Sequence, residues 1–192
     1  MLTSHYGNIE IARALSNSFS KLNIVILVYK SNSSAFLDMI NKISKNKLKM
    51  IFIDDLDFAT ILELQNIVEN GMHIGIMGDR VALSSDKNIK LDFLGKSCCF
   101  SMGAYLIAGI LKTRINTLWC ERIGGKYHIE IEQISRSDDN KDGVVNLRKD
   151  RAKSVIWIMQ AYIKSLEKRV IKNPQLWFNF YDYWNQDVKT KI

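Results

Sequence analysis

Two side chains near the start of the chain have types suited to proton transfer, His5 and Glu10. A neutral imidazole can take a proton from a hydroxyl as that oxygen attacks an electrophilic carbon. A carboxylate on the other ring nitrogen fixes the tautomer and stabilises the imidazolium that forms. No protein nucleophile is needed, because the substrate hydroxyl plays that part. On one continuous helix, residues 5 and 10 would point about 140° apart. They can meet only if His5 sits in a turn and Glu10 lies in the first turns of the helix after it. Gly7 permits the backbone bend that this requires. Asn8 is a good helix cap, and Ile11, Ala14 and Leu15 continue an apolar face. Spacing alone also fits an ordinary surface or capping pair.

The elements around this segment alternate between strand and helix. Ile24–Tyr29 is a continuous β-branched run that reads as a buried strand. Ala35 to Ile43 has apolar residues at helical spacing, and Met50–Ile53 is another short apolar run. Asp57 can cap a helix from Phe58 to Glu69, with Asn70-Gly71 as its stop. His73–Met77 reads as a strand ending at Gly78-Asp79-Arg80, and Ile89–Phe93 as a further strand. Met102–Leu111 is apolar on every side and reads as a buried helix. Asn116–Arg122 and Lys126–Gln133 flank Gly124-Gly125 as a hairpin. Ser135 to Asp142 reads as a loop. A long helix should start near Arg148 with a stripe of Ala152, Val155, Ile156, Met159, Ile163, Leu166 and Val170, and stop at Pro174. Trp177, Phe178, Phe180, Tyr181, Tyr183 and Trp184 then form an aromatic ending suited to packing on the domain or to a membrane interface.

This order implies an α/β layered domain with a mostly parallel central sheet flanked by helices. Such sheets bind ligands beyond the carboxyl ends of their strands. Two segments therefore stand out, Ser4-His5-Tyr6-Gly7-Asn8 and Gly78-Asp79-Arg80.

Composition narrows the class. The chain has 192 residues, 47% of them hydrophobic and 24% charged, which suits one sizeable packed domain rather than a disordered tail. The net charge of +7 suits anionic partners, although the lysines and arginines are spread along the chain rather than gathered in one tract. No helix-turn-helix, RNA-recognition or zinc-finger pattern accompanies that charge, so nucleic acid is not an expected partner. Cys98, Cys99 and Cys120 are odd in number, with two adjacent, and read as buried thiols. No metal-ligand spacing is present, and no cofactor is expected. His73 and His128 read as structural residues. No apolar run approaches the roughly 20 residues of a membrane span, so membrane contact by these residues would be peripheral.

The segment SHYGNIEIARAL resembles the His-x-Gly-Asn-x-Glu block of the lipid A biosynthesis (lauroyl/myristoyl-type) acyltransferases, within the lysophospholipid acyltransferase superfamily. GDRV at Gly78–Val81 is similar to that family's second block. LDFLGK at Leu91–Lys96, with the helix expected over Ser101–Lys112, is similar to the third, and QLWFNFYDYW at Gln175–Trp184 to its ending. The resemblance implies transfer of an acyl chain from acyl carrier protein or acyl-CoA to a hydroxyl of a lipid or glycolipid. It implies a peripheral enzyme at the cytoplasmic face of the bacterial inner membrane. His5 would be the base and Glu10 its orienting partner. Arg80 would hold a phosphate or the developing oxyanion. Asp79 would position Arg80 or cap a turn, and Gly7 and Asn8 would shape the substrate-binding turn. Relatives usually carry a segment ahead of the histidine, so residues 1–192 are expected to be a single acyltransferase-like domain without that region. The alternative is a catalytically inactive remnant or partner-binding module of the same fold.

Overall fold

The computed structural model describes residues 1–8, 23–29, 50–53, 57–81, 88–134 and 151–185. The architecture is α/β, with a mostly parallel sheet. In chain order the strands are β1 (Leu2–Thr3), β2 (Ile24–Tyr29), β3 (Met50–Ile53), β4 (His73–Met77), β5 (Asn88–Phe93), β6 (Lys96–Ser101), β7 (Asn116–Ile123) and β8 (Lys126–Gln133). The helices among the described residues are α1 (Phe58–Glu69), α2 (Gly103–Ile110) and α3 (Arg151–Lys172). Among the described residues, six strands form one sheet in the order β3-β2-β4-β1-β7-β8. Only β8 runs antiparallel to its neighbour. The helix expected at Ala35 to Ile43, the loop at Ser135 to Asp142 and the residues from Glu10 to Leu15 lie outside the described residues.

Local chemistry accounts for most boundaries. Asp57 caps α1 as expected, its Oδ1 accepting from the Thr60 N–H at 2.8 Å. The chain then leaves α1 through Gly71 at φ +72° and enters β4. The β7–β8 hairpin turns on Gly124 and Gly125, both at positive φ, as a two-residue connection between twisted strands favours. Pro174 stops α3 and opens a single 3₁₀ turn.

A second hairpin, β5–β6, is a correction to the expected order. Its strands pair in register from Asn88↔Ser101 to Phe93↔Lys96 across Leu94-Gly95. Both turn residues have positive φ, which Gly95 tolerates freely and Leu94 adopts at a cost. The Leu94 N–H is held by the Glu167 carboxylate of α3 at 2.6 Å, which helps to fix that turn. Phe93 and Phe100 point inward from the hairpin and meet edge to face.

The α3 stripe is wider than the aliphatic pattern indicated. Val155, Met159, Ile163, Leu166 and Val170 are buried, and so are Ile158, Tyr162 and Arg169. Arg169 stacks its guanidinium 4.5 Å from the Trp119 ring and bonds Glu130 of β8 at 2.6 Å. A planar cation with an apolar stem can occupy a core edge in this way. The charged flank of α3 therefore clamps the terminal hairpin.

Candidate active site

The strand register brings two distant segments together. β1 and β4 are parallel neighbours, with Thr3 opposite Met77. Two residues beyond that pair, at the carboxyl edge of the sheet, stand His5 and Asp79. They are 74 positions apart in sequence, and the His5 Nδ1 lies 2.9 Å from the Asp79 Oδ1. The Asp79 Oδ2 accepts the His5 backbone N–H, also at 2.9 Å. One carboxylate thus grips both the ring and the main chain of the histidine. Asp79 is completely buried, while the His5 side chain keeps 22% of its surface exposed. The inner end of the pair is sealed and the imidazole edge faces outward.

Asp79 was expected to position Arg80 or to cap a turn. Its carboxylate instead accepts from His5 and from the Trp177 indole N–H, the latter at 3.3 Å. Glu10, the expected partner of His5, lies outside the described residues. Within the described site the carboxylate on the ring is that of Asp79.

The surroundings of Asp79 are aromatic. Tyr183 donates its hydroxyl to the Asp79 carbonyl, and Tyr162 donates to the Thr3 carbonyl at 2.7 Å. The Tyr105 hydroxyl packs close to Gly78, where an added Cβ would lie 3.3 Å from its oxygen. Burial, and then the negative charge of Asp79, push the phenols of Tyr105, Tyr162 and Tyr183 well above their ordinary range. These rings stay neutral and give Asp79 a low-dielectric wall.

The turn after β1 is fixed from three sides. The Ser4 Oγ accepts the Tyr6 N–H at 3.0 Å. Gly7 donates to the Leu176 carbonyl, and Asn8 donates to the Cys120 carbonyl of β7, both at 2.8 Å. Gly7 has φ +72°, and a Cβ there would lie 2.1 Å from the Cys120 oxygen. The expected bend at Gly7 is present, and the close strand beside it is a second reason for glycine. Asn8 is exposed at the end of the turn.

The C-terminal aromatic segment completes the site. Tyr6 and Trp177 form an antiparallel bridge, and the Phe178 N–H donates to the His5 carbonyl at 2.8 Å. Arg80 donates to the Phe178 carbonyl at 3.3 Å and lies over the Tyr181 ring at 5.4 Å. The Phe178 main chain therefore links His5 to Arg80. Sequence reasoning missed Trp177, Tyr105, Tyr162 and Tyr183 as neighbours of the site. Their aromatic character signals burial but not what they bury.

Trp177→Phe keeps the ring packing and removes one donor to Asp79. We expect a stability loss of about 1 kcal/mol, read from a thermal melt, because the His5 donors remain. A variant as stable as the parent would show that the 3.3 Å contact carries no energy.

A cavity of about 430 Å³ lies elsewhere, at the amino edge of the sheet. Val68, Met72, His73, Ile107, Leu111 and Ile115 contribute to its walls. It does not include His5 or Asp79. The described residues contain no cluster of metal-ligating side chains. His73 is half-buried, and burial lowers its pKa, while His128 sits on the exposed strand β8.

The arrangement can perform proton transfer. With Nδ1–H donated to a buried carboxylate, the histidine presents Nε2 as a base. A scan against protein-family models finds no match for this chain, and a search of curated proteins finds none either.

Proposed function

We propose that this protein is an acyltransferase that moves a fatty acyl group from acyl carrier protein or acyl-CoA to a hydroxyl of a lipid or glycolipid. The observation that carries this reading is the His5–Asp79 pair at the carboxyl edge of the sheet. The resemblance of the His5, Gly78–Val81 and C-terminal blocks to the lipid A acyltransferases supports the same base, while it gives the orienting role to Glu10 and the carboxylate observed on the ring is that of Asp79.

In this reading His5 Nε2 accepts the proton of the acceptor hydroxyl as its oxygen bonds to the thioester carbonyl carbon. The carbonyl π pair moves onto oxygen. It returns as the carbon–sulfur bond breaks, and the thiolate takes the proton from the imidazolium. The ester and the free thiol are the products, and His5 is neutral again. Asp79 holds the ring and stabilises its charged form. Arg80 is linked to His5 through the main chain of Phe178 and can offer its planar fork to a phosphate or to the oxyanion. The reaction is placed at the cytoplasmic face of the bacterial inner membrane, with the protein bound peripherally and the acceptor in the lipid layer.

The test is an assay with acyl carrier protein loaded with a labelled fatty acid and a membrane lipid extract as acceptor. The reading predicts a labelled lipid ester and one free thiol per ester formed. Thiol release without ester would indicate a thioesterase, and neither product would remove the reading.

A further inference from the structure

The aromatic segment after Pro174 divides into two sets. Trp177 and Tyr183 face inward onto Phe93 and Asp79. Phe178, Phe180 and Tyr181 face outward, with relative exposures of 45%, 89% and 42%. The outward set is local. The Phe178 and Phe180 rings are 6.4 Å apart, and Tyr181 lies under the Arg80 guanidinium. The whole group hangs on Phe178, whose N–H bonds His5 and whose carbonyl bonds Arg80.

An isolated exposed ring needs no explanation, but three adjacent rings with a cation at the rim of a candidate active site form a patch. The occupant must satisfy both apolar rings and a guanidinium. A purely apolar protein surface would bury Arg80 without a counter-charge, at a cost. The headgroup layer of an anionic bilayer offers acyl carbon to the rings and phosphate to the arginine. The net charge of +7 adds long-range attraction to the same surface. No helix among the described residues is long and apolar enough to cross a membrane, so these residues supply no alternative attachment by a span.

We propose that Phe178, Phe180 and Tyr181, with Arg80, form a docking collar that seats the His5 site on an anionic lipid surface. This inference rests on the reading of His5 as a base acting on a lipid hydroxyl. The collar brings the acceptor to the catalytic edge without a diffusion step through water. It also accounts for large rings left in solvent beside the site while Phe93 and Phe100 are buried.

The experiment is co-sedimentation of the full chain with vesicles of phosphatidylcholine alone and with vesicles containing phosphatidylglycerol. Binding to the anionic vesicles is expected, weakening as salt rises. Phe180→Ser should lower the partition coefficient roughly tenfold, and Phe178→Ser with Phe180→Ser should lower it further, with unchanged circular dichroism. His5→Ala should bind as the parent does. Binding of the double variant at the parent's level would overturn the collar, as would a parent protein that ignores phosphatidylglycerol. Loss of a parent dimer in Phe180→Ser, seen by sedimentation velocity, would overturn it in favour of an interface between copies. Ester formation without ring-dependent binding removes the collar and keeps the catalytic reading. Ring-dependent binding without ester formation leaves a lipid-docking module and removes the catalytic reading.

Discussion

If the protein is the acyltransferase proposed, Asp79→Asn should reduce acyl transfer by roughly 10²- to 10⁴-fold, the range associated with losing a positioned acid–base partner. The reason lies in how the carboxylate is used. Both of its oxygens accept, Oδ1 from the His5 ring and Oδ2 from the His5 main chain and the Trp177 indole. An asparagine has only one accepting oxygen. If that oxygen serves the two donors at the Oδ2 position, the amide NH₂ faces His5 Nδ1 and forces it to accept. The proton then moves to Nε2, and the base is occupied on its outward side. If the amide turns the other way, its NH₂ confronts two N–H donors in a sealed site, costing about 1–3 kcal/mol for each unsatisfied group. Rate and stability are therefore both measured, by ester formation and by thermal melt. A folded Asp79→Asn protein with the parent's rate would remove Asp79 from the catalytic account.

Gly7→Ala should be the most destabilising methyl addition in the site turn. The new Cβ would be placed 2.1 Å from the Cys120 carbonyl oxygen, which is strand backbone and cannot swing aside. It would also stand at φ +72°, a conformation that costs an L-residue roughly 1–2 kcal/mol. Adding the 1–3 kcal/mol typical of overpacking gives about 2–5 kcal/mol in all. Gly71→Ala is the matched control. Gly71 has the same φ of +72°, but an added Cβ there meets nothing within 4 Å. Urea denaturation of the two variants separates the steric part from the conformational part. Equal losses would mean that the turn does not press on β7, and that His5 is held less firmly than the hydrogen bonds of Gly7 and Asn8 indicate.

The strands and helices with strong local signals were legible in the sequence. Ile24–Tyr29, Met50–Ile53, His73–Met77 and Lys126–Gln133 appear with the expected bounds. α1 has the Asp57 cap and the Gly71 exit that its flanking residues specify. The β5–β6 hairpin was only half legible. Lys96–Ser101 contains serine and cysteine where a strand usually shows β-branched residues, and Leu94-Gly95 is an unusual turn pair. Its pairing is stabilised from outside, by Glu167 and by the phenylalanine pair.

The site was legible in its parts but not in its pairing. The preference for the carboxyl ends of strands picked out both Ser4–Asn8 and Gly78–Arg80. Nothing local says that β1 lies beside β4 in parallel, and that adjacency alone sets Asp79 on the His5 ring. Glu10, the partner that the resemblance implies, lies outside the described residues, whereas the bond observed to Asp79 spans 74 residues. The Tyr162 contact was hidden for a related reason. An aliphatic stripe marks the helix face, but a tyrosine on it reveals its role only when its hydroxyl meets the Thr3 carbonyl.

The central claim is that His5, held by Asp79, is the general base of an acyl transfer. Ester formation from labelled acyl carrier protein and a lipid acceptor, compared between the parent and His5→Ala, tests it most directly. The account predicts labelled ester from the parent, and none above background from a folded His5→Ala protein. Ester formed by His5→Ala at the parent's rate would contradict it.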